Sequence, residues 1–494
     1  MVDAAERVAI IGAGPAGLTA AYQLQKLDPK FVPIVIEADT LVGGIARTES
    51  HNGYRFDIGG HRFFTKVPEV EAIWHEVMGE DFIKVPRLSR IYYQGRYFRY
   101  PLKLFNALNN LGVYESIRIV LSYGKWRLWP NPREESFEDW VINRFGGRLY
   151  IHFFRSYTSK VWGIPPNQIQ ADWAAQRIKN LSLGKAIWNA ISGVNKTTSL
   201  IEEFHYPRLG PGMLWERVRD LVTAAGGEIR MGREVSRIRR DGSRVTVVET
   251  RVMDAQPMDA ERNERIETIE ADHFISSMAL RDLIERFDPP PPKAVRAAAA
   301  KLRYRDFLIV TLILEGRDLF PDNWIYVHSP QVSVGRIQNF RAWSAAMVPD
   351  PTKSSIGMEY FCSEGDALWE MSEEALIAKA AAELEHLGLA PASAVVDGAT
   401  IRQPKAYPVY DGNYKAAVAV LADWINSLEN FQTVGRNGLH RYNNQDHSML
   451  TAMLAARNVM GENHDVWTVN VERSYHEEFQ LQRPEPAQKA PRIA

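Results

Sequence analysis

The sequence predicts an α/β chain built on a Rossmann-like domain, carrying a mostly helical insertion and an antiparallel β-sheet domain. Three observations predict it. A strand, a glycine turn, a helix and a second strand follow one another over residues 7–37; an aromatic-rich stretch with helical spacing runs from 67 to 200; and alternating strands from Phe307 to Phe361 precede a last strand–turn–helix signal. At 494 residues, 45% hydrophobic and 24% charged, the chain is long enough for two or three domains sharing a large core.

The opening element is RVAIIGAGPAGLTAAYQLQKL, an apolar strand that passes through Gly12, Gly14 and Gly17 into a helix with Leu18, Ala21, Leu24 and Leu27 on one face. PIVIEAD follows as a second strand, and Glu37 closes it twenty residues after Gly17. That order of elements turns a weak GxGxxG match into a dinucleotide-binding signature. Gly12 permits the turn, Gly14 lets the backbone approach a pyrophosphate at the helix N-terminus, and Gly17 allows close helix–strand packing. Glu37 is placed to accept hydrogen bonds from ribose hydroxyls. An acid there disfavours a 2′-phosphate, so FAD or NAD fits better than NADP. LVGGIART follows directly, and its Gly43, Gly44 and Arg47 are assigned to the same ligand. A further glycine pair, Gly59 and Gly60 in FDIGGHRFF, marks another close approach of the backbone to a neighbour.

Residues 67–211 form the expected helical insertion. Ser136 with Asp139 reads as a helix N-cap, with Phe137, Val141 and Phe145 on one face. YESIRIVLSYGKWRLW, from Tyr114, mixes Arg118, Lys125 and Arg127 with aromatics, and reads either as an interfacial helix or as a packed helix with a solvated basic edge. From Gly227 the pattern alternates again, with Asp241-Gly242 as a hairpin turn. The polar run 254–267 reads as a hairpin insert. KAVRAAAAKL and about Ser372 to Leu387 read as helices, and Met449, Met453, Ala456 and Val459 mark a last one. The resulting domain plan assigns 1–66, 212–285 and 425–480 to the nucleotide-binding domain. It gives 286–424 to the β-sheet domain with its helical insert, and 481–494 to a disordered tail.

Fifty-nine basic and sixty acidic residues leave a net charge of −1, so no global field recruits nucleic acid. Cys362 is the single cysteine, which excludes an intramolecular disulfide and a cysteine-built metal site; it reads as a buried small hydrophobe. His152 and His205 lack metal-ligand spacing, and no metal is expected. The start has no basic segment before its apolar run, and FLIVTLIL from Phe307 is far short of the roughly 20 residues of a span. The expected location is cytoplasmic, without a transmembrane segment; peripheral membrane contact and oligomeric state stay open.

Seven patches in order, YRFDIGGHRFFT, YYQGRYFRYPL, FGGRLYIHFFRSYTSKVWG, YPRLGPGM, GRIQNFRAWS, GMEYF and VGRNGLHRY, resemble the UDP-galactopyranose mutase and protoporphyrinogen oxidase-like flavoproteins. The resemblance implies an FAD-binding fold of glutathione reductase type. It implies substrate arginines at Arg177 and Arg336 and substrate-lining aromatics at Tyr157, Trp162, Tyr360 and Tyr442. It puts His61 in the flavin wall, Arg436 after Gly435 beside the flavin, Val235 against adenine, and the flavin ring over Gly59 and Gly60. Taken singly, each aromatic reads equally as core packing.

The activity implied is interconversion of pyranose and furanose forms of a nucleotide-linked sugar by covalent catalysis at N5 of reduced FAD, in the service of cell-surface polysaccharide synthesis. NADH or NADPH is the candidate reductant. The sequence departs from the mutase pattern at Phe64, where a second histidine stands in the mutases, and at Tyr442-Asn443-Asn444-Gln445-Asp446, where the carboxylate is displaced. Phe64 and the helical insert between Tyr360 and Arg436 favour the alternative, an FAD-dependent oxidoreductase acting on an apolar or amine substrate.

Overall fold

The computed structural model describes residues 5–100, 104–171, 174, 203–253 and 265–470. Arg177, the tail 481–494 and residues 254–264 of the proposed hairpin insert lie outside them.

Strand β1 (Glu6–Ile11), helix α1 (Pro15–Leu27) and strand β2 (Phe31–Ile36) form the expected opening, with β1 parallel to β2. They enter a five-stranded parallel sheet in the order Phe431–Thr433, His273–Ser276, β1, β2, Glu228–Arg230. A parallel sheet is covered on both faces, which is why VAII is apolar at successive positions rather than alternating. Val8 and Ile10 pack with α1 and with Met449, Met453 and Ala456 of the helix Gln445–Val459. Ala9 and Ile11 face the opposite way, toward Leu280, Leu283 and Leu421. The Asp241-Gly242 turn joins Arg233–Asp241 to Arg244–Val252 in a four-stranded sheet, with Gly242 at φ +58°.

The second domain is a seven-stranded sheet in the order Val395–Pro408, Tyr304–Glu315, Lys353–Cys362, Arg336–Asn339, Trp324–Val327, Ser89–Tyr93, Arg96–Arg99. Its pairs are antiparallel except Trp324–Val327 with Ser89–Tyr93. The last two strands fall within 67–211, where helices predominate among the described residues, and they join the sheet of the second domain. The turn Gln94-Gly95 takes positive φ at both residues, the conformation that joins a tight hairpin, so YYQGRYF folds as strands. The helix Glu373–His386, capped by Ser372, packs on one face through Leu376, Ala380 and Leu384. Cys362 is buried in that same layer, where burial pushes its thiol up to about 12.

Against the other face lies the helical part of the insertion. Ser136 caps Phe137–Phe145 through a reciprocal pair of bonds with Asp139, and Phe137, Val141 and Phe145 are buried as the spacing requires. Among the described residues, no helix is long and apolar enough to cross a membrane.

Candidate active site

A cavity of about 340 Å³ opens at the carboxyl ends of β1, β2 and His273–Ser276, where an open parallel sheet binds its ligand. Gly12, Gly14, Glu37, Gly44, His61, Val235, Gly435 and Arg436 line it. Two helix N-termini border it, that of α1 through Pro15 and Ala16 and that of Gln445–Val459 through Gln445 and Ser448. Their exposed N–H groups suit a diphosphate.

The glycines sort by what a methyl group would meet. At Gly12, with φ +101°, it would sit 2.1 Å from Ser277 Oγ, and at Gly17 it would sit 1.8 Å from the Gly12 carbonyl oxygen. Packing alone requires those two. At Gly14 the nearest atom would be Gly44 Cα, at 3.8 Å, so nothing among the described residues demands a glycine there. A ligand laid against the backbone does, and this is the fit expected of a dinucleotide such as FAD.

Glu37 accepts from the backbone N–H of Ala13 at 2.7 Å and of Asp39 at 2.9 Å, and burial raises its carboxyl pKa. It therefore fastens the glycine turn as well as lining the cavity. Arg47 lines neither cavity. Its guanidinium donates to Glu49 at 2.6 Å, to the Gly44 carbonyl at 3.0 Å and to Gln403 at 2.8 Å, bracing the Gly43-Gly44 loop from behind.

His61 and Arg436 also line a second chamber of about 180 Å³, so the two spaces meet at these residues. Gly59, Gly60, Arg62, Phe64, Tyr326, Arg336, Tyr407, Tyr442 and Asp446 are among its other walls. Arg336 donates from Nε to Glu359 at 2.6 Å, with Nη2 at 2.5 Å from the same oxygen; Gln338 donates to the other carboxylate oxygen at 2.7 Å. Burial works against the charge of Arg336, but Glu359 beside it holds its pKa well above the ordinary range. His61 is half-buried, and desolvation of its ring with the fields of Arg436 and Arg336 pushes it down to about 3, so the imidazole is neutral. Its Nδ1 is itself shut away from solvent, on the side of the ring that packs near Gly59. Arg436 is fastened to the carbonyls of Asn443 at 2.8 Å and Ala406 at 3.2 Å, over the rings of Tyr442 and Tyr407. Those rings stack on each other at 5.5 Å.

Several expectations change. Gly59 and Gly60 line the second chamber and are also approached from the protein side by the strand Arg336–Asn339. A methyl at Gly60 would lie 2.9 Å from Gln338 Nε2, and one at Gly59 would lie 3.3 Å from Arg336 Nη2. Tyr360 faces away from the chamber, buried with Leu376 and Leu384, because successive strand residues alternate and Glu359 takes the inward position. Trp162 is core, set behind Tyr407 and Tyr442 at ring distances of 6.4 and 6.2 Å. Tyr157 stacks on His328 at 4.3 Å and lines neither chamber. Asp446 lines the chamber four residues after Tyr442, so the displaced carboxylate reaches the same space.

Sequence reasoning missed Glu359, Gln338, Tyr407 and Arg62. Glu359 was legible in GMEYF, as the one acid in a strand otherwise fit for burial. It also missed the latch behind FDIGG. Asp57 accepts from Thr48 Oγ at 2.8 Å and from the Tyr206 hydroxyl, and Thr48 in turn accepts from the Gly212 N–H at 2.9 Å. Burial pushes the Asp57 carboxyl up to about 7.

A family model described as flavin containing amine oxidoreductase matches residues 15–416. A crystal structure of reduced UDP-galactopyranose mutase superposes with a TM-score of 0.80 at 20% identity, covering 95% of this chain and 98% of that one. Wild-type putrescine oxidase bound to putrescine superposes with a TM-score of 0.62 at 17% identity, covering 92% and 99%. Protoporphyrinogen oxidase 1, chloroplastic, of Arabidopsis thaliana is 25% identical over 214 residues, 40% of this chain and 39% of that protein. The chain thus spans well under half the length of that curated relative.

Proposed function

Starting from the fact that this chain belongs to the flavin containing amine oxidoreductases and is an FAD-dependent enzyme, we propose that it acts on a nucleotide-linked sugar, interconverting its pyranose and furanose forms. One observation carries the reading. Arg62, Arg336 and Arg436 border the substrate chamber, and the buried carboxylate of Glu359 is engaged by Arg336 and Gln338 from behind. Guanidinium groups so arranged suit a diphosphate and disfavour a protonated amine. The likeness to reduced UDP-galactopyranose mutase over nearly the whole chain supports the same reading.

Reduced FAD would supply an electron-rich ring nitrogen next to the sugar. The residues of this chain bind and orient. Arg336, fixed by Glu359, meets the charge that develops on the departing diphosphate. The stacked Tyr407 and Tyr442 give a flat wall for a base or sugar ring and keep water out. Neutral His61 lines both chambers, between cofactor and substrate, without adding charge.

The decisive experiment keeps the purified protein reduced with dithionite and presents UDP-, dTDP- and GDP-sugars while the flavin spectrum and the sugar ring form are followed. Interconversion without net oxidation is expected, with tighter binding to the reduced protein. Indifference of the reduced protein to the whole panel would overturn the reading. Phe64 in the chamber wall favours a second reading, an oxidoreductase for an anionic, apolar substrate. In that case substrate would bleach the oxidised flavin, and NADH or NADPH would serve only reductive variants of the reaction.

A further inference from the structure

Among the described residues, nothing covers one apolar face of the helix Val113–Leu128. Val113, Tyr114, Ile117, Leu121, Leu128 and the following Trp129 are between 54 and 79% exposed. A monomer surface seldom concentrates that much apolar side chain in one helix without a partner for it. The helix is nonetheless firmly seated. Ile119 is fully buried, and a methyl at Gly146 would lie 2.8 Å from the Tyr123 nitrogen, so backbones meet there. Glu115 points inward, held by Arg148 at 2.5 Å and by His152 at 2.9 Å.

With Glu115 drawn inside, where Arg118 also pairs with it at 3.5 Å, the charged side chains left exposed along this helix are Arg118, Lys125 and Arg127, all of one sign. An apolar face flanked by cations, ending in an exposed tryptophan, matches the surface of an anionic bilayer, where acyl chains take the apolar residues and phosphates take the cations. A second copy fits less well, since a two-fold axis through the helix would set these cations against their own images. We propose that this helix docks the protein onto membranes rich in anionic lipid, lying in the interface rather than crossing it.

The test is co-sedimentation of the full-length protein with vesicles of phosphatidylcholine alone, or mixed with phosphatidylglycerol. Binding is expected to the mixed vesicles and to weaken with salt. The Lys125→Gln/Arg127→Gln variant should bind about 30-fold less well, and Leu121→Ser/Leu128→Ser should not sediment. Both variants change exposed residues outside the chamber, so their melting temperature should match the parent protein. The proposal is overturned by equal partition into both vesicle types or by no binding to either. It is equally overturned by a concentration-dependent dimer that Leu121→Ser/Leu128→Ser abolishes in the absence of lipid.

Discussion

Arg336 and Glu359, 23 residues apart, are joined across neighbouring strands by a charge-assisted bond of 2.6 Å, with the carboxylate wholly out of solvent. Removing one partner leaves the other charge buried and alone. Glu359→Ala should cost about 3–5 kcal/mol, read as a lowered urea midpoint at unchanged slope. The double variant Arg336→Met/Glu359→Ala should recover most of that stability while staying inactive. If the double variant is as unstable as the sum of the two singles, the pair is not coupled as its geometry states.

Gly14 and Gly17 belong to one motif, yet the structure gives them different reasons. Gly14→Ala meets nothing closer than 3.8 Å, and should leave apoprotein stability within about 0.5 kcal/mol of the parent while abolishing FAD retention. Gly17→Ala drives a methyl into the Gly12 carbonyl and should fail to give soluble protein. The flavin absorbance ratio after gel filtration, with the apoprotein melting temperature, separates the two. A Gly14→Ala protein that keeps its flavin would falsify the placement of the diphosphate.

Asp57 makes stability depend on pH in an unusual direction. Its carboxyl titrates near 7 in the fold, raised by burial from an ordinary 3.8. Between those values the folded chain binds more protons than the unfolded one. Its share of stability is therefore complete below pH 3.8 and lost as pH rises through 7. Asp57→Asn keeps an acceptor for Thr48 or Tyr206 and removes the titration. The melting-temperature difference should shift in the variant's favour from about pH 5 to pH 8; a constant difference across that range would place the titration elsewhere.

The parts of the site that were legible in the sequence are those built by neighbours in the chain. Gly12, Gly14, Gly17 and Glu37 sit in one strand–turn–helix–strand unit, so their spacing already carries their geometry. Gly435 with Arg436, and the Ser136–Asp139 cap, are local in the same way. The misassigned residues depend on which face of an element turns inward. Within GMEYF a one-residue alternation turns Glu359 toward Arg336, behind the chamber wall, and Tyr360 to the opposite layer. Ser89–Arg99 escaped notice as strand because its partner, Trp324–Val327, lies far along the chain.

By itself, then, the sequence marked the turn after β1 for a dinucleotide, because short-range backbone constraints write themselves into glycine spacing, while the flavoprotein kind came from the resemblance carried by its seven patches. Only the tertiary structure decided that Gly59 and Gly60 admit the arginine strand, that Glu359 fixes Arg336, and that His61 stands neutral between two chambers. Each of these depends on burial and on pairing between distant segments, and desolvation and close packing come into being only once those segments meet.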